Sequence, residues 1–65
     1  MQSKKGMVVY DFWFPIAARS AVIVARDYAA AVAVADTLYG VWELVAVRQA
    51  RVRDMRPGAA TCVAV

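Results

Sequence analysis

The segment from residue 20 to residue 47 constrains the fold more than any other part of the chain. Its first six residues are small or β-branched and predict a strand. Asp27 then stands where a helix N-cap belongs, and Gly40 stands where a left-handed glycine ends a helix. The segment therefore predicts a strand, a helix over residues 28–39 and a returning strand over residues 41–47.

An aromatic and β-branched run precedes this unit and predicts a first strand over residues 7–14. Pro15 ends the run because proline lacks the N–H that a sheet ladder needs. The result is an α+β domain of β-β-α-β topology, with a three-stranded antiparallel sheet in the order 2-1-3 and one helix on one face. We expect residues 1–6 to form a mobile basic arm and residues 7–56 to form the domain. Residues 57–65 are expected to form a C-terminal tail with, at most, a short fourth strand.

The predicted helix has one side suited to a sheet and one side that is unusually bland. At about 100° per residue, the sheet-facing stripe contains Tyr28, Ala31, Val32, Ala35, Leu38 and Tyr39. The opposite side carries Ala30 and Ala33, where a small domain usually shows lysine or glutamate. High helix propensity explains the alanines, and so does a smooth docking surface for another protein. Both explanations stay open at this point.

The size of the chain favours association with a second copy. It has 65 residues, of which 63% are hydrophobic, and a domain of about 60 residues buries only about 60% of its unfolded surface. Cys62 is the single cysteine and the chain has no histidine, so neither an internal disulfide nor structural zinc can reinforce the core. We therefore expect a homodimer, a larger homo-oligomer or a tight complex with another protein.

The same composition predicts a location. A lone thiol fits a reducing compartment, and the N-terminus does not resemble a signal peptide, so we expect the cytoplasm. Charged residues interrupt every window of about 20 residues, so we expect neither a transmembrane helix nor a membrane partner.

Catalysis is not expected. The chain lacks histidine, the usual general base near neutral pH. Asp11 and Glu43 would face each other if the first and third strands paired in that register, but Asp11 is more typical of a polar residue on an open sheet face. Cys62 has no evident base to activate it. The sequence therefore predicts no catalytic, cofactor-binding or metal-binding residue, no cofactor and no small-molecule substrate.

The sheet face away from the helix is predicted to be bare and apolar. It exposes either groups such as Trp13, Val9 and Val45 or the alternate set, because both faces are apolar enough for the helix to cover. A bare apolar face of this kind indicates a protein interface, and large aromatic side chains often anchor such interfaces. The predicted protein contacts are Trp13, Trp42, Val45, Ala30 and Ala33.

A basic segment offers a second kind of surface. The net charge is +3, and four arginines fall within nine residues. Arginine binds phosphate groups well, so a nucleic-acid surface is one interpretation. Charged residues that guard an edge strand against aggregation are the other. The candidate phosphate contacts are Lys4, Lys5, Arg48, Arg51, Arg53 and Arg56.

The layout of residues 7–55 resembles small accessory proteins of phages and mobile elements. The resemblance is carried by residues 25–31, a capped helix start, and by residues 38–45, a glycine stop and returning strand. Some anti-CRISPR proteins have a similar size and layout. The resemblance concerns topology, so it assigns no functional residue. Acidic DNA mimicry is not supported because this chain is basic.

The first functional interpretation is a non-enzymatic protein-interaction module that self-associates and binds, or inhibits, a host or defence protein complex. The alternatives are a small basic nucleic-acid-binding protein that uses residues 48–56, and a structural subunit of a particle or filament.

Overall fold

A computed structural model of the chain describes residues 6–56, 58 and 60–64, apart from the side chain of Met55. Within these residues the strands are β1 (Val8–Phe14), β2 (Arg19–Ala25), β3 (Glu43–Gln49) and β4 (Cys62–Val63). The helix α1 (Tyr28–Ala35) connects β2 to β3, and a 3₁₀ helix (Val52–Met55) follows β3. The predicted small α+β architecture is confirmed.

The four strands form one sheet in the order β3-β1-β2-β4. The strand β1 is antiparallel to both β2 and β3, which confirms the predicted order of the first three strands. The fourth strand, which the sequence left open, exists as a two-residue strand parallel to β2. The aromatic strand β1 is therefore central, whereas β3 is an edge strand.

The hydrophobic core lies between α1 and one face of the sheet. Alternate residues of β1 and β2 point into it, as the two-residue period of a strand requires. The helix packs on β2 and to a lesser degree on β1. The buried core residues are Tyr10, Phe12, Phe14, Ala21, Ile23, Ala25, Ala31 and Ala35.

The helix begins as the sequence predicts. Oδ1 of Asp27 accepts a hydrogen bond from the N–H of Ala30 at 2.9 Å, which satisfies one of the unpaired donors of the first turn. The packed side differs slightly from the predicted stripe, because Ala30 and Val34 are half-buried against the core whereas Val32 is outside it.

The helix ends earlier than predicted, at Ala35 and not at residue 39. After Ala35 the chain tightens, because the N–H groups of Thr37 and Leu38 donate to carbonyls three residues back. The Thr37 hydroxyl also donates to the Val34 carbonyl at 2.7 Å, a local bond that competes with regular helix. Gly40 has the predicted positive φ, +90°, but it turns the chain toward β3 after this tightened turn.

The third strand also differs from its prediction, because it covers Glu43–Gln49 and contains a β-bulge. Asp11 is paired with Ala46 and Phe12 with Leu44, so Val45 is an extra residue on β3. One extra residue resets the alternation of side chains between the two faces. A strict alternation, which would place Glu43, Val45 and Val47 on one face, therefore does not hold along β3.

The face of the sheet opposite α1, which we call the open face, is not uniformly exposed. Two open-face residues, Val9 and Val24, are paired across β1 and β2 and are almost completely buried. Arg48 of β3 lies opposite Val9 and makes two hydrogen bonds to Asp54. The prediction that this face exposes Val9 is wrong, because Val9 is only 4% exposed.

Candidate protein-binding surface

The third strand is exposed along its whole length. The helix does not shield it, since α1 packs chiefly on β2. Together with the preceding turn, β3 presents an apolar strip that we call the β3 shelf, defined by Val41, Leu44, Val45 and Val47. Val45 is 61% exposed and Val47 is 52% exposed. Apolar side chains this exposed and this close together are typical of a surface that binds another protein.

The bulge decides which shelf residues lie on the helix side of the sheet. Val47 is opposite Tyr10, and Leu44 is opposite Phe12, and both of these aromatic residues belong to the core beneath α1. Leu44 and Val47 therefore continue the apolar floor of the core outward to the edge of the sheet, beyond the reach of the helix.

The backbone of β3 offers hydrogen-bonding groups at the same edge. The N–H of Ala50 donates to the carbonyl of Met7 at 2.9 Å, so residue 50 directs its backbone groups toward β1. Along an antiparallel strand, successive residues direct their backbone N–H and C=O groups alternately toward one neighbouring strand and away from it. Val47 and Gln49 consequently direct their N–H and C=O groups outward, away from β1.

A second exposed area with apolar side chains lies on the open face, beside the buried pair Val9 and Val24. We call it the open-face patch, defined by Asp11, Trp13, Val22 and Ala46, which the strand register places side by side. Trp13 is 38% exposed. A shallow depression of about 160 Å³ is lined in part by Asp11, Val22 and Ala46.

The predicted protein contacts lie in several places. Trp13 is in the open-face patch, Val45 is on the β3 shelf, and Ala33 is exposed on α1. Ala30 and Trp42 are half-buried and pack against the core. The five residues do not form one surface.

The ring of Trp42 is held within the monomer from two sides. It packs edge-on against Phe12, with 4.8 Å between the ring centroids. Its Nε1–H donates to Oδ1 of Asp36 at 2.8 Å. This tryptophan therefore fastens the turn before β3 to the core.

Sequence reasoning missed Leu44 and Val47. The available signal was the apolar run of residues 44–47 on a strand that the predicted order already placed at an edge. A one-residue bulge cannot be read from such a run, so the faces of its residues were misassigned.

The four arginines of the basic segment do not form a continuous row. Arg48 makes two hydrogen bonds to Asp54, at 2.8 and 2.7 Å, and the N–H of Arg51 donates to the same carboxylate at 2.7 Å. Asp54 is only 7% exposed. The hydrogen bonds from Arg48, followed by the bond from the Arg51 backbone, hold the pKa of Asp54 well below its usual range. Asp54 thus ties the 3₁₀ helix to Arg48 of β3.

The remaining arginines are exposed. Arg51, Arg53 and Arg56 lie in or beside the 3₁₀ helix and not on a continued strand. Lys4 and Lys5 lie outside the described residues. The carboxylates considered for acid–base chemistry are not directly opposite, because Asp11 is paired with Ala46 and Glu43 with Trp13.

Among residues 6–56, 58 and 60–64, no three histidine, cysteine or acidic side chains group closely enough to hold a metal ion. In the same part of the chain, no helix has the length and apolar character needed to cross a bilayer.

Comparisons with known proteins add no identity. No protein-family model matches the chain, and neither a curated protein nor a solved structure matches it.

Proposed function

We propose that this chain is a non-enzymatic protein-interaction module that self-associates through the side of the molecule formed by β3. The observation that carries this proposal is the exposure of β3, because Leu44, Val45 and Val47 all present apolar side chains to solvent at the edge of the sheet. The small core of a 65-residue domain gives such an association a physical purpose, since a partner adds buried apolar surface.

The open-face patch supplies a second contact area for a different partner. Trp13 is a large, partly exposed aromatic side chain with Ser20 and Glu43 directly opposite it, and aromatic side chains are often interface anchors. The resemblance to phage and mobile-element accessory proteins supports one form of this activity, an inhibitor that binds a host or defence protein complex in the cytoplasm.

The proposal is tested by sedimentation equilibrium of the purified protein over a wide range of concentrations. We expect the wild-type chain to associate and Val47→Lys to remain a folded monomer, because a charge would be buried at the contact. Ile16→Lys is a matched control. Ile16 is 79% exposed in the turn between β1 and β2, so the same change should leave association intact.

Two results would contradict the proposal. A wild-type chain that stays monomeric at all concentrations would exclude self-association. Equal weakening by Val47→Lys and Ile16→Lys would show that added positive charge, and not the β3 shelf, determines the association. Circular dichroism of both variants checks that each is folded.

A nucleic-acid-binding protein is the second candidate, favoured by the exposure of Arg51, Arg53 and Arg56 on one short segment. Exposed guanidinium groups are free to bind phosphates. Arg48 contributes less to this candidate, because Asp54 occupies its guanidinium.

A further inference from the structure

We propose that the occupant of the β3 edge is a second copy of this chain, paired with it antiparallel so that Val47 lies opposite Val47 of the other copy. This inference rests on the proposed self-association and specifies its geometry. The two sheets would join into one eight-stranded sheet, with both copies of α1 on the same face.

The backbone favours pairing along the edge over stacking of faces. Val47 and Gln49 direct their backbone donors and acceptors outward, as the bond between Ala50 and Met7 implies. At the opposite edge of the sheet, β2 is paired with β4, so the edge strand there has only two residues. A contact in which β3 of one copy pairs with β3 of the other uses the same surface on both copies, so it closes a two-fold dimer.

Charge and the bulge together select the register. A register centred on Arg48 would place two arginines directly opposite each other, and like charges in this position are destabilising. A register centred on Ala46 would place the bulge residue Val45 opposite Val47, where the ladder is disrupted. Centring the pair on Val47 avoids the opposed arginines and moves the bulge residue Val45 away from the central pair, to a position opposite Gln49. Ala46 then lies opposite Arg48 and leaves room for its side chain.

The side chains on the helix side complement this register. Leu44 and Val47 extend the core outward from β1, so the two shelves would merge into one apolar floor between the two helices. The open-face patches would lie together on the other face of the joined sheet. A partner that binds Trp13 would thus meet two related sites on one surface.

Disulfide trapping tests the register directly. In a Cys62→Ala background, Val47→Cys should form a covalent dimer under mild oxidation, because directly opposed residues have Cα atoms about 5.5 Å apart, within disulfide range. Gln49→Cys is the matched control on the same strand and face. In the proposed register the two copies of residue 49 are separated by four residues along the strand, about 13 Å, so this variant should not cross-link.

The outcomes separate this inference from the function on which it rests. Cross-linking of Val47→Cys alone supports the proposed register. In a mixture of the two variants, efficient cross-linking only between Val47→Cys and Gln49→Cys would show that the register is centred on Arg48. That result would overturn the inference, but the proposed self-association through β3 would remain supported. Dissociation by Trp13→Glu with no effect of Val47→Lys would show stacking through the open face, which also overturns it. A chain that is monomeric in sedimentation refutes both proposals.

Discussion

Replacing Asp27 with alanine should destabilise the domain by about 1 kcal/mol, the usual cost of losing a side-chain N-cap. The Asp27 carboxylate accepts from the N–H of Ala30 at 2.9 Å, and the first turn of α1 contains no acidic residue. The helix has only eight residues, so the capping hydrogen bond is a large fraction of the hydrogen bonds that hold it. The alanine variant leaves that donor to water alone.

This cost should be easy to measure in so small a domain. A chain of 65 residues is expected to have a total stability of about 3–10 kcal/mol. For a domain of this size, a loss of about 1 kcal/mol lowers the Tm by about 4–8 °C. Thermal unfolding followed by circular dichroism measures the shift.

Asp27→Ser is the matched control, because serine keeps an oxygen that can accept the same hydrogen bond. Its Tm should lie close to that of the wild type. If Asp27→Ala and Asp27→Ser unfold at the same lowered temperature, the charge and not the cap is responsible. If neither variant changes the Tm, the capping argument is refuted.

The same substitution has a second readout at Tyr10. Burial of the phenol, and after it the negative charge of Asp27, raise the pKa of Tyr10 above its ordinary value. Removing Asp27 should lower this pKa, although the effect of burial remains. A raised folded-state pKa means that the neutral phenol stabilises the fold at pH values below about 10, and this contribution is lost as the pH rises through the folded value. Ultraviolet titration of tyrosinate in both proteins checks the shift.

Two further predictions concern the segment after β3. Asp54→Asn should lower the Tm at neutral pH and make the Tm fall less steeply in acid. The reason is that a carboxylate with a lowered pKa stabilises the fold above about pH 4 and loses this effect as the pH falls. A Tm profile in acid identical to that of the wild type would contradict the role assigned to Asp54. If the second candidate function is correct, the Arg51→Ala, Arg53→Ala double variant should reduce the salt dependence of binding to random-sequence DNA, since each lost phosphate contact lowers the slope. Arg26→Ala, at an exposed arginine between β2 and α1, is the control, and an unchanged slope in the double variant would reject the arginine segment.

Local sequence signals were sufficient for the order and type of the main elements. The aromatic strand before Pro15, the cap at Asp27 and the apolar run after Gly40 each depend on interactions within a few residues of the chain. The central position of β1 also followed, because the most apolar strand gains most from burial on both sides. These features were predicted correctly because local propensity and the final structure agree.

The ends of the elements were less predictable. At the early end of α1, the Thr37 hydroxyl donates a hydrogen bond to the Val34 carbonyl, and this local bond competes with a regular helix. Alanine and valine around it give no sign of this competition. The bulge at Val45 has no local signature either, since it arises from the fit between β3 and β1.

The candidate surface was predicted in kind but not in detail. An exposed apolar area was expected around Trp13 and Val45, and both residues are exposed. The sequence could not show that Trp42 would be held by Phe12 and Asp36. A tryptophan side chain is large and apolar but carries one N–H donor, so it is suitable both for a protein core and for an interface. Only its contacts in the folded structure show which of these two places it occupies.

The sequence by itself determined that this chain forms a small β-β-α-β unit with a capped helix and an aromatic central strand, because strand period, capping and turn formation are local. Only the tertiary structure decided which surfaces remain free. Val9 and Val24 are buried although they lie on the sheet face away from α1, whereas the short helix leaves Val47 uncovered. Burial depends on where distant segments cross the sheet, and that is a property of the whole fold and not of any one segment.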